Sequence, residues 1–294
     1  MTADLAADLA IAQRARYDKL WATLERRERK LVDEALAEIE QNLKRARPGS
    51  WSAASSASTL VQLAQAVRGL SSAQLTLLRR ALPGVAKKAQ ADAAAWLREL
   101  DASFLGAARP LRFDSLEWLR GYSRPLLRSR LRVYEQSFAR YGAKTVSAIE
   151  DAIAKNMIIG TPWAEAREEV YDLVREQVGG KQWMVDRIVR TEVSAVHNAT
   201  TMAALLEEDA ADDPMLKKLV ATFDPVTGQD SRLLHGQTRR LDELFTDVTT
   251  GRKFDAPPNR PNDREIVVGW RRSWGDDRGF DRDTAEEHEA ASSG

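Results

Sequence analysis

The chain has 294 residues, room for one large or two ordinary domains, with 43% hydrophobic and 30% charged residues and no cysteine. The missing cysteine excludes a disulfide framework and thiolate ligation of a metal, and no apolar run is long enough to span a bilayer. Net charge is zero, yet residues 1–145 hold 25 Lys and Arg against 15 Asp and Glu, while residues 146–294 hold 19 against 29. Such a split points to two surfaces with different partners, or to a basic half that pairs with an acidic one. With no basic-then-apolar leader at the N-terminus, the expectation is a protein made in the cytoplasm.

Residues 14–46 place Tyr17, Leu20, Trp21, Leu24, Leu31, Ala35, Ile39 and Leu43 at helical spacing, and Pro48-Gly49 stops the pattern. A Ser/Ala-rich linker follows, about residues 47–58, with Trp51 in it. Helices resume at 60–67 and after Ser71, where Ser71 and Gln74 have the spacing of a capping box. Pro83-Gly84 predicts a break, and 85–104 reads as an alanine-rich helix that ends in a hinge at 106–110.

Between Arg109 and Arg140 lie eight arginines and three acids. Arg120, Arg124, Arg128 and Arg132 step by four, with Arg130 among them, so they share a slowly drifting helical face if the helix passes through Pro125. Ser123 as a cap with Pro125 in the first turn would instead split the stripe. Planar guanidinium groups suit carboxylate or phosphate, so the face is read either as solvated or as meeting an acidic protein or DNA. Gly142 and Gly160 predict two helix ends, and Thr161-Pro162 predicts a helix start running to Gly179-Gly180.

A helix over 182–208 carries Arg190-Thr191-Glu192. Glu192 shares a face with Val185, Ile188, Ala195, Val196 and Ala199, and a carboxylate in an apolar stripe requires a partner. Arg232 or Arg264, or backbone N–H groups of the loop 224–230, are the expected partners, so that Glu192 clamps the next module to its helix. His197, by contrast, reads as a surface residue.

That module is expected over 211–274, with a first strand at 219–224 and a last strand at 264–271 that places Ile266, Val268 and Trp270 on one face. Between them stand Asp224, Asp230-Ser231-Arg232, His235-Gly236, Phe245 and a run through Pro257, Pro258 and Pro261 that predicts a fixed, extended loop. Residues 275–294 are acidic and nearly free of apolar side chains, which predicts a disordered tail. The fold class expected is mainly α with a small C-terminal α+β module of two or three short strands and long loops. In chain order the expected regions are 1–110, 111–210 and 211–274.

This order of motifs resembles the phage head morphogenesis family, the phage Mu F-like minor capsid proteins. That family shows an Asp-x-Arg turn, a Leu-x-Gly or His-Gly step, a later phenylalanine, and a Pro-Pro-x-His-Pro-Asn-Cys-Arg-Cys run entering a strand. An Arg-Thr-Glu triplet lies on the preceding helix. The matching pieces here are Asp230-Ser231-Arg232, His235-Gly236, Phe245, the run Pro257-Pro258-Asn259-Arg260-Pro261-Asn262-Asp263-Arg264-Glu265, and Arg190-Thr191-Glu192. Arg260, Asp263 and Glu265 stand where many members have His and Cys, so the usual zinc knot is not available to this chain.

The resemblance implies a non-enzymatic minor head protein that binds the portal protein, with scaffold, major capsid protein and packaged DNA as further partners. It would act in DNA packaging or delivery and sit inside the virion head near the portal after assembly in the host cytoplasm. It implies no metal, cofactor or membrane. Two alternatives stay open. One is DNA binding through the arginine-rich 109–140 segment. The other is a metal-dependent hydrolase using Asp224, Asp230, His235 and Glu192.

Overall fold

The computed structural model describes residues 2–45, 53–180, 182–221, 228–260 and 263–275. Trp51, Asp224, Pro261, Asn262 and the expected tail beyond Gly275 lie outside the described residues. The protein is mainly α with a small C-terminal α+β module. Its helices are α1 (Thr2–Arg45), α2 (Ala53–Leu105), α3 (Leu116–Ile159), α4 (Trp163–Val174) and α5 (Gln182–Glu207), with a π turn, Arg175–Gly179, after α4. Then come β1 (Met215–Val220), α6 (Gln229–Leu234), β2 (Thr238–Arg240), β3 (Phe245–Thr246), β4 (Lys253–Phe254) and β5 (Ile266–Arg271).

Several expected breaks are absent. α2 continues through Pro83, and α3 through Pro125 and Gly142, so Ser123 does not start a helix and the arginine stripe is not split. Pro83 and Pro125 both lie on exposed faces, where water can satisfy the carbonyl that each proline leaves without its N–H partner. Ser71 lies inside α2 and its hydroxyl donates to the Val67 carbonyl at 3.2 Å, so it caps nothing. Gly142 is where α2 and α3 come close, since an added Cβ would meet Ser71 Oγ at 3.1 Å. The helix end at Gly106, with φ +78°, stands as expected. α4 starts one residue later than Thr161-Pro162 suggests, with Pro162 as the cap position.

Two compact units divide the chain, and both are discontinuous. One comprises Met1–Ala22, Leu82–Leu127 and Arg190–Gly294; the other comprises Thr23–Ala81 and Arg128–Val189. They cut across the consecutive regions expected from the sequence, because α1, α2, α3 and α5 each contribute to both. The second unit is a helical bundle whose core includes Val32, Ile39, Leu63, Val67, Ile149, Val170 and Val174.

The first unit holds the sheet, ordered β2-β1-β5 and antiparallel throughout, with Val220 opposite Ile266 and Met215 opposite Arg271. β3 and β4 form a separate two-stranded ribbon. β1 begins four residues earlier than expected, so Lys217 and Lys218 lie in the strand and are buried. Lys217 donates to the Asp255 carboxylate and carbonyl and lies over the Phe245 ring at 5.1 Å; Lys218 lies over the Trp270 ring at 5.8 Å. β5 is buried at every position, on both faces. Ala93, Trp96, Leu97 and Leu100 of α2 and Met202 and Leu205 of α5 share its core cluster. Gly269 permits that approach, because a Cβ there would sit 2.5 Å from Leu205 Cδ2.

Candidate functional site

The motif pieces named above meet in the first unit. At the end of β1, the Gly236 N–H donates to the Leu219 carbonyl at 2.9 Å, and the Leu219 N–H donates to Gln237 at 3.0 Å. The Ala221 N–H donates to His235 Nδ1 at 3.1 Å, so the imidazole holds the loop to the strand in its Nε2-protonated form. Gly236 has φ +79°, a conformation that favours glycine. Phe245 packs against Phe254 with ring centroids 5.7 Å apart.

Arg260 is the hub. Its guanidinium donates to the Asp230 carboxylate, to Ser231 Oγ at 2.7 Å and to Glu265 Oε1 at 3.4 Å, and it lies 3.7 Å from Asp247 Oδ2. Thus Arg260 ties the Asp-Ser-Arg turn, the β3 end and the entry to β5 together. Asp247 also accepts from the Thr249 hydroxyl and from the Thr249 and Thr250 N–H groups, which lower its pKa to about 2. The Asn259 N–H donates to Asp263 at 2.8 Å, closing the loop after the cis Pro257–Pro258 bond. Arg232 and Arg264 are both half-buried.

On α5, Glu192 is 2% exposed, as its apolar stripe requires. Thr191 is half-buried, and the Arg190 guanidinium lies over the Trp21 ring at 5.1 Å. Side chains outside the Arg190-Thr191-Glu192 triplet also hold the last strand. The Asn198 amide donates to the Glu265 carbonyl at 3.0 Å and accepts from the Val267 N–H at 2.8 Å. Trp96 Nε1 donates to the Gly269 carbonyl at 2.7 Å, and Arg14 Nη1 to the Arg264 carbonyl. These groups cover the backbone of β5 on the side away from β1.

His197 is buried rather than on the surface, with its ring 5.1 Å from that of Tyr17. Burial first, then the Arg14 and Lys88 cations, lower its pKa to about 3, so the imidazole is neutral. Burial also pushes the Tyr17 phenol up and lowers the Arg14 pKa.

A second buried network anchors the far end of β5. Arg271 lies 3.6 Å from Asp101 and 3.7 Å from Glu208, while Trp274 Nε1 donates to Asp101 at 3.0 Å. Arg109 donates to both Asp101 oxygens and to Asp213 at 2.9 Å. The Asp101 hydrogen bonds are the main cause that raises the Arg109 pKa, whereas burial lowers that of Arg271. Local spacing gives no hint of these pairs, since their members stand up to 173 residues apart.

Along α3, Arg120, Arg124, Arg128 and Arg132 are exposed and Arg130 is half-buried. Among the described residues, no group of three or more His, Asp or Glu side chains is arranged to hold a metal ion. The chain matches no family model, no curated protein and no solved structure.

Proposed function

We propose that this protein is a non-enzymatic minor head protein of a phage-like particle, with its C-terminal module acting as a rigid docking unit for the portal protein. The observation that supports this reading is the convergence on Arg260. Asp230 and Ser231, Asp247, and Glu265 are far apart in sequence, yet they close one ion cluster around the Pro-rich run. A cluster built from side-chain pairs fixes a shape but offers no nucleophile–base pair, which suits docking better than turnover. Inside the head, scaffold, major capsid protein and DNA are the further partners of this reading.

Co-expression with a cognate portal protein, followed by affinity purification, tests the reading. Co-purification at physiological salt is expected for the wild type and reduced recovery for Arg260→Ala; no co-purification of the wild type overturns it. The exposed α3 arginines favour DNA contact as a second reading. Duplex DNA added to the same purified protein should bind with a steep loss on added salt, and no binding at low salt removes that reading.

A further inference from the structure

The helical unit carries a groove and, elsewhere on its surface, a helix that complements it. The groove, of about 690 Å³, runs between α1 and α2. Its walls are basic, with Arg27 and Lys30 from α1 and Arg80 from α2, against the single carboxylate of Glu34. Its floor is made of short side chains on α2, including Gly69, Ala73 and Thr76. An added Cβ at Gly69 would meet nothing within 4 Å, so the floor is open. Among the described residues, neither Arg27 nor Arg80 has an ion partner.

The complementary element is α4. Glu165, Glu168, Asp172 and, in the turn that follows, Glu176 recur at spacings of three, four and four, which aligns them on one face. All four are exposed. Among the described residues Glu168 meets only its neighbour Arg167, and Lys155 and Asn156 pair instead with Glu169, off this stripe. α4 has 12 residues, about 18 Å of helix, and the groove floor from Gly69 to Ala81 runs for a similar length. A helix about 10 Å wide suits a cleft between two helices, whereas a DNA duplex is too broad to reach a floor of alanine and glycine.

We propose that this chain self-associates head to tail, with the acidic face of α4 from one copy lying in the basic α1–α2 groove of the next. The contact joins two different patches, so each copy offers one donor and one acceptor, and growth gives an open chain or a closed ring. Leu31, Leu77, Ala73 and Ala81 give the groove an apolar lining and the cations stand at its walls, so the contact joins apolar burial to an electrostatic part that is sensitive to salt. It does not rest on the head-protein reading.

Sedimentation velocity of the full-length chain tests it. At low ionic strength the wild type should form species larger than a monomer as concentration rises, and association should weaken roughly tenfold or more in high salt. Arg27→Glu with Arg80→Glu should be monomeric, and so should Glu165→Lys with Glu168→Lys and Asp172→Lys. Circular dichroism checks that both variants remain folded; these positions are all on the surface. Mixing the two variants should restore association, because each then meets a groove or helix of opposite sign. A wild type that stays monomeric throughout the micromolar range at low salt overturns the proposal. So does association that survives either reversal, or a mixture that stays monomeric. Binding of duplex DNA that is lost in the Arg27→Glu, Arg80→Glu protein, with no self-association in the wild type, would assign the groove to a polyanion instead.

Discussion

His197 sits where burial and two cations keep its ring neutral, and that has a consequence for pH dependence. Its folded pKa is lowered to about 3 from 6.5. Above pH 6.5 the ring is neutral in both states and contributes nothing. As pH falls below 6.5 the unfolded chain binds a proton that the folded one refuses, so stability drops until about pH 3. The expected loss between pH 7 and pH 4.5 is about 2–3 kcal/mol from this residue alone. Urea unfolding of the wild type and His197→Gln at both pH values measures it. The variant should lose less stability on acidification, and equal losses would show that the histidine is not the cause. Asp247 acts in a lower window, because its depressed pKa contributes stability that is lost only as pH falls from 3.8 toward about 2. At this scale the sequence was uneven. Burial of Glu192 followed from its apolar neighbours. His197 stands in the same helix among similar neighbours, yet its burial comes from Tyr17 on a distant segment, which spacing within one helix cannot show.

Strand β5 owes its place to side chains that act as a substitute neighbour. An unprotected edge presents a row of N–H and C=O groups open to pairing with other chains. Here Asn198 satisfies one of each and Trp96 a further carbonyl, while β1 pairs the other side. Asn198→Ala should leave two buried backbone groups without partners and cost about 2–4 kcal/mol in equilibrium denaturation. A change under 0.5 kcal/mol would mean that the amide is dispensable. Element boundaries show what local signals can and cannot decide. The last strand was legible from Ile266, Val267, Val268 and Trp270, and α5 from its periodicity. The first strand was not, because Lys217 and Lys218 look solvent-facing until Asp255, Phe245 and Trp270 close over them. Pro83, Pro125 and Gly142 read as stops, but packing on either side carries the helices past them.

Neither compact unit corresponds to a continuous stretch of chain. The sheet-bearing unit takes Ala6 and Ala10 from α1, Ala93, Trp96, Leu97 and Leu100 from α2, and Phe113 from the segment before α3 into its core. Residues 190–275 expressed alone therefore lack one wall of that core and should give the circular dichroism and poor amide dispersion of an unfolded or loosely packed chain. A well-dispersed spectrum from that fragment would contradict the shared core. The sequence suggested a module over 211–274, and the strands do lie there. What it could not reveal is that the module is completed by α1, since Arg14 reaches the Arg264 carbonyl across 250 positions.

That single long-range closure bears on how the protein is made. A ribosome delivers α1 some 250 residues before β5, so the apolar faces of α1 and α2 that pack on the sheet wait through that interval before their cover arrives. During that interval they are open to chaperones or to unwanted association, and contacts of such wide separation also slow the search once release occurs. Nascent chains stalled before residue 266 should consequently remain protease-sensitive over residues 6–20, and become resistant only after β5 has emerged.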